Sequence, residues 1–153
     1  MRKRYPLMNV LAMAGLAMLL LLTGCGGQAE PTQPPFGRWS IANVRDAFAA
    51  AGLPVQSLIR DMSVGRDAPL SFSDRYTFVI DQIAPDGGQL LFFNSASGLE
   101  SWTAYIERLR SDSELRRSVV YVFVKDNVLM QLNADLVPAD ARAFENALNS
   151  LGS

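Results

Sequence analysis

A chain of 153 residues, 49% of them apolar and with a formal net charge of −1, is sized for one folded domain with a real core and is not the composition of a disordered protein. Removing Arg2, Lys3 and Arg4 leaves 11 basic against 15 acidic side chains, and no basic run beyond Arg116-Arg117, so nucleic acid is a poor electrostatic partner. There is no histidine and Cys25 is the sole cysteine, which removes Ser-His-Asp and Cys-His catalysis, histidine-bound zinc and any intrachain disulfide.

Met1-Arg2-Lys3-Arg4 opens the chain with positive charge, and thirteen uncharged, mostly aliphatic residues run from Val10 to Leu22. A stable transmembrane helix takes about 20 apolar residues, so this stretch reads as the hydrophobic region of a signal peptide. Leu22-Thr23-Gly24-Cys25 at its end resembles the lipobox of bacterial lipoproteins: an aliphatic residue, two small ones that fit a narrow protease site, then a cysteine. The resemblance implies cleavage before Cys25 and lipidation of its thiol, palmitate being the usual kind of acyl chain. It gives a signal peptide over residues 1–24 and a lipid anchor in a cell membrane or outer membrane, facing the extracytoplasmic side. Two or three acyl chains, at ~0.8 kcal/mol per buried CH2, hold a protein on a bilayer where one does not. Gly26 to Gly37 is rich in Gly, Pro and Gln without an apolar period, so residues 25–37 read as lipidated cysteine and tether. A single α+β domain is expected over 38–153.

Within that domain Ser40 can cap a helix whose stripe is Ile41, Val44, Phe48 and Ala51, and Gly52-Leu53-Pro54 stops it. Val55 to Ser73 reads as a long irregular connection with a short strand near Gln56 to Arg60. Tyr76 to Ile83 alternates, with Tyr76, Phe78 and Ile80 on one side and Thr77, Val79 and Asp81 on the other. Pro85-Asp86-Gly87-Gly88 is turn chemistry, and Gln89 to Phe93 returns as a strand apolar on both faces. Ser97 and Glu100 have the spacing of a capping box for a helix with the stripe Leu99, Trp102, Ile106 and Leu109. Val119 to Val124 and Val128 to Leu132 flank a two-residue turn, Asp126-Asn127, pairing Tyr121 with Leu132 and Phe123 with Met130. Pro138 starts a closing helix with the stripe Ala141, Phe144, Leu148 and Leu151. The predicted order is α-ββ-α-ββ-α: a mostly antiparallel sheet of four to five strands with helices packed on one face.

The carboxylates are scattered, and none of their spacings suits a calcium loop or other metal site. Asp86-Gly87-Gly88 lacks the lysine and following helix of a phosphate loop. Trp102 shares the stripe of Leu99 and Ile106 and reads as core, while Trp39 reads as a staple between tether and domain. Ser71-Phe72-Ser73-Asp74-Arg75 has serines but no base to activate them. No catalytic residue, metal or cofactor is therefore assigned.

Phe48-Ala49-Ala50-Ala51-Gly52-Leu53-Pro54-Val55, the Asp86-Gly87-Gly88-Gln89 turn, Asp126 to Asn133 and the Pro-started last helix resemble a group of small bacterial lipoproteins of unassigned function. The resemblance implies no activity and brings no site residues. The leading expectation is a non-enzymatic envelope lipoprotein that binds an envelope protein or small ligand, through Thr77, Val79, Gln131 and Asn133 on the more polar sheet face or through the loop Asp61 to Ser73. A hydrolase working through carboxylates alone and a structural or protective surface lipoprotein are the alternatives.

Overall fold

A computed structural model describes residues 35–53 and 55–153; the expected signal peptide, Cys25 and the expected tether as far as residue 34 lie outside the described residues. Five strands, β1 (Val55–Arg60), β2 (Asp74–Ile80), β3 (Gly87–Phe92), β4 (Tyr121–Lys125) and β5 (Val128–Leu132), form one antiparallel sheet in the order β1-β2-β3-β5-β4. Three helices accompany it: α1 (Ile41–Ala50), α2 (Ala96–Ser111) and α3 (Pro138–Asn149). The chain is an α+β protein with an antiparallel five-stranded sheet, as its periodicities predict. The extra strand β1 lies in the long connection and pairs with β2 through a bulge between Gln56 and Ile59, where Ser57 takes φ 52.

The helices do not share one face. Leu90 and Phe92 of β3, Phe78 and Ile80 of β2, and Met130 and Leu132 of β5 point into a core closed by Val44 and Phe48 of α1 and by Ala141, Phe144 and Leu148 of α3. Leu91, Phe93 and Leu129 point the other way, into a second core closed by Trp102 and Ile106 of α2. The expectation of helices on one side gives way to a physical fact already present in β3. Leu90, Leu91, Phe92 and Phe93 are all at most 5% exposed. Each buried side chain of this size is worth about 1.5–3 kcal/mol, so both faces of β3 require a cover.

Two local expectations are also corrected. Gly87 and Gly88 are not turn residues: they are the first residues of β3, paired with Val79 and Phe78. The reversal is made earlier, by a 3-10 turn over Asp81–Ile83 and a cis Ala84–Pro85 peptide. The glycines are needed for close approach, since a Cβ on Gly87 would lie 2.0 Å from the Phe78 carbonyl oxygen and one on Gly88 2.8 Å from that of Gln131. The α2 cap is Ser95, not Ser97: its hydroxyl accepts from the Gly98 N–H at 3.2 Å. β3 pairing runs on to Phe93, whose N–H donates to the Asn127 carbonyl, and the helix starts at Ala96 directly behind the Ser95 cap.

The start of the domain is clasped to the β4–β5 turn. Asn127, 1% exposed, accepts from the Trp39 backbone N–H at 2.8 Å and donates to the Trp39 carbonyl at 2.9 Å. The Trp39 indole N–H donates to Asp126 at 2.6 Å, and the Arg38 guanidinium lies 4.6 Å from the Trp39 ring centre. Phe36, three residues before, packs against the second core. Trp39 therefore does what a staple does, by hydrogen bonds as much as by packing.

Two stability measurements check this account. In urea unfolding, Gly87→Ala is expected to lose about 1–3 kcal/mol by overpacking, whereas Gly65→Ala, with nothing within 4 Å of its would-be Cβ, stays near wild type. Asn127→Ala, which leaves the Trp39 backbone unpaired, is expected to lose about 2–3 kcal/mol.

Candidate functional site

The second face of the sheet is only partly covered. α2 lies over Leu91, Phe93 and Leu129, while the Thr77–Gln89–Gln131 part of the same face, further toward the start of β3, carries polar side chains instead. Antiparallel register puts Thr77 opposite Gln89 and Gln89 opposite Gln131. Arg75, Gln89 and Gln131 form a ladder across the three strands. Arg75 Nε donates to Gln89 Oε1 at 2.6 Å, Gln89 Nε2 to Gln131 Oε1 at 2.8 Å, and Gln131 Nε2 to the Ser118 carbonyl at 2.6 Å. Every bond runs in the same direction, so the amides are oriented and neither can flip without breaking two partners.

Arg75 is the fixed end. Its Nη1 donates to the Asp61 carboxylate and carbonyl, both at 2.9 Å, and to the Ser63 carbonyl at 2.6 Å. One guanidinium thus ties the loop after β1 to the sheet. The Ser63 backbone N–H and hydroxyl, and then the Arg75 charge, hold the Asp61 carboxyl below the ordinary aspartate range.

Two hollows share the floor of Gln89, Gln131 and Ser118. The outer groove, about 520 Å³, lies at the Gly87 and Asn133 ends of β3 and β5 and is rimmed by Glu114, Arg117 and Asp135. Arg117 and Asp135 form an ion pair across this rim. The inner slot, about 190 Å³, runs under α2 between Trp102, Tyr105 and Leu109 on one side and Arg75 and the 64–68 segment on the other. Trp102 is 3% exposed, and its indole N–H is buried without a hydrogen-bond partner.

Of the four residues proposed from sequence, Gln131 and Asn133 line the outer groove. Thr77 and Val79 lie on the same face, across from Gln89 and Gly87, but line neither hollow. The loop Asp61 to Ser73 contributes Val64, Gly65 and Ala68 to the slot. Arg75, Gln89, Glu114, Arg117 and Asp135 were not found by sequence reasoning. Arg75 was within reach, because it alternates in phase with Thr77 and Val79. Gln89 needs the pairing of β3 with β5, 42 residues apart, which no local pattern encodes. Trp102 is core, as its stripe says, and is also a wall of the slot.

The serines that invited a catalytic reading are spent on structure: Ser71 Oγ donates to the Gly98 carbonyl and Ser73 Oγ to the Phe92 carbonyl, both at 3.0 Å. Among the described residues no three acidic or cysteine side chains gather as metal ligands, and no helix is long and apolar enough to cross a membrane. No family model matches the chain, and neither the curated proteins nor the solved structures contain a match to it.

The Asp61 carboxyl gives the loop a defined pH response. Its folded-state value is depressed, so its contribution is complete above the ordinary aspartate value of about 3.9 and is lost as the pH falls through the depressed value. Hydrogen exchange at the Ser63 amide is therefore expected to show constant protection, relative to the free peptide, from pH 5 to 8 and falling protection below about pH 4. Asp61→Ala should show the reduced protection already at neutral pH.

Proposed function

We propose that this chain is a membrane-tethered cell-envelope lipoprotein whose domain is a non-enzymatic binding module, anchored in the bilayer through lipidated Cys25. The observation that carries the anchor is the sequence Leu22-Thr23-Gly24-Cys25, placed directly after a short apolar segment and holding the only cysteine of the chain. A lone cysteine in that place has no disulfide to make. Supporting the binding role is a cleft whose floor is pre-organised by side-chain hydrogen bonds rather than filled by apolar packing. The partner is an envelope protein or a small ligand that presents polar groups to Gln89, Gln131 and Asn133.

The carboxylate-only hydrolase has one observation in its favour, that Glu114 and Asp135 both line the outer groove. A general acid must be held protonated by burial, and a glycosidase needs a second carboxylate free to act. Asp135 instead stands half-exposed in an ion pair with Arg117, and Glu114 is exposed. Binding is the better reading.

Mass spectrometry of the mature N-terminal peptide tests the anchor: a diacylglyceryl-modified Cys25 at the new N-terminus is expected, with the protein in the membrane fraction. Cys25→Ala is expected to be uncleaved or to lose the lipid. An unmodified Cys25 in a soluble mature protein would end the lipoprotein reading. For the binding role, a Gln131→Ala, Asn133→Ala variant should lose the ligand or partner by tenfold or more while still folding, at a cost of about 1–3 kcal/mol for the partners left on Gln89, Ser118 and Asp135.

A further inference from the structure

The outer groove and the inner slot share one floor, and the chemistry of their walls selects what they take. We propose that the cleft binds a neutral, hydroxyl-rich ligand of the saccharide class, lying in the outer groove with one edge of a sugar ring in the slot beside Tyr105. This rests on the binding reading above and names its ligand.

A sugar hydroxyl both donates and accepts, and the floor offers both. Gln89 and Gln131 each spend one amide N–H and one lone pair on the ladder, which leaves each amide one N–H and one lone pair. Asn133 continues the amide row along the groove, and the rim of Glu114, Arg117 and Asp135 adds planar groups with two-point geometry. Because the ladder fixes the amides in advance, a ligand does not have to order them.

Charge excludes small anionic ligands. The rim holds two carboxylates against one guanidinium, and that guanidinium is already paired with Asp135. Arg75 in the slot is paired with Asp61. A carboxylate or phosphate finds no uncompensated cation and meets Glu114. A purely apolar ligand would strip water from the amide floor without replacing its hydrogen bonds. An extended peptide cannot join as a strand, because β3 and β5 are interior strands whose backbone groups are used within the sheet.

A cavity of about 150 Å³ holds a benzene molecule, and a hydroxylated pyranose is larger, so the slot of about 190 Å³ takes one edge of a ring whose remainder lies in the adjoining groove. Trp102 and Tyr105 meet edge to face at 5.5 Å, which fixes the half-buried Tyr105 ring as the accessible aromatic wall of the slot. The Trp102 indole N–H is a buried donor without a hydrogen-bond partner beside the slot, and so a sensitive reporter of a ligand there.

The test is a titration of the full chain, purified in detergent, followed by 15N NMR of side-chain amides and indoles. The neutral probes are chitotriose, maltotriose and cellotriose; the charged comparison is trigalacturonate. At least one neutral trisaccharide is expected to shift the Gln89 and Gln131 amides and the Trp102 indole together and saturably. Gln131→Ala should weaken that binding tenfold or more, and Arg45→Ala on α1 should leave it unchanged. Should Gln131→Ala fold poorly, Asn133→Ala on the groove provides the same readout. Shifts with none of the neutral sugars, shifts only with trigalacturonate, or shifts confined to other parts of the domain would each overturn the proposal. Crosslinking of an envelope protein to the cleft without sugar binding would end the saccharide class and leave the binding reading standing, so the two can fail separately.

Discussion

Strand β3 is the constraint on which the rest of the structure depends. Four consecutive side chains, Leu90 to Phe93, are buried, two on each side of the sheet. A strand of this kind cannot sit at an edge or face water, so it takes the middle of the sheet and demands a layer on both faces. α1 and α3 supply one layer and α2 the other. The start of β3 is equally restricted. Gly87 and Gly88 admit the Phe78 and Gln131 backbones at distances no side chain would allow, so the sheet closes tightly around that strand.

The cleft follows from unequal cover. α1 and α3 bury their face with aromatic contacts such as the edge-on pair Phe48–Phe144, 5.2 Å between centres. On the other face α2 reaches only the apolar part, and the residues beyond it are polar because they remain accessible. Left unpaired, the guanidinium of Arg75 and two amides on a half-covered sheet would be costly. Bonded in series, they become a rigid floor and hold the loop from Asp61 in place through Arg75. The chain enters the domain elsewhere. Phe36 and Trp39 are fixed beside the Asp126-Asn127 turn, at the opposite end of β5 from Asn133. A ligand in the outer groove therefore does not compete with the Trp39 contacts to that turn.

Most of the elements were legible because they are written in short-range patterns. The α3 stripe Ala141, Phe144, Leu148 and Leu151 is buried as its 3.6-residue period requires. A two-residue turn sets the β4–β5 register, so Tyr121 meets Leu132 and Phe123 meets Met130 as read. Less was legible where two local solutions compete. Ser95 and Ser97 can both cap α2, and Ser95 is the one whose hydroxyl takes the Gly98 N–H. A Pro-Asp-Gly-Gly run has turn chemistry, yet its glycines serve a close backbone approach that only the neighbouring strands reveal.

By itself, then, the sequence determined the α+β class, the alternation that divides β2 into an apolar and a polar side, and the two-faced character of β3, since all depend on residues within one turn or strand of each other. It also placed Gln131 and Asn133 on the polar side, and they line the groove. Only the tertiary structure decided that the helices divide between two faces, that Gln89 meets Gln131, and that Arg75 rather than Thr77 or Val79 completes the row. Those contacts join strands that are adjacent in space and distant in sequence. Hydrophobic periodicity says which way a side chain points, whereas strand order says what it meets.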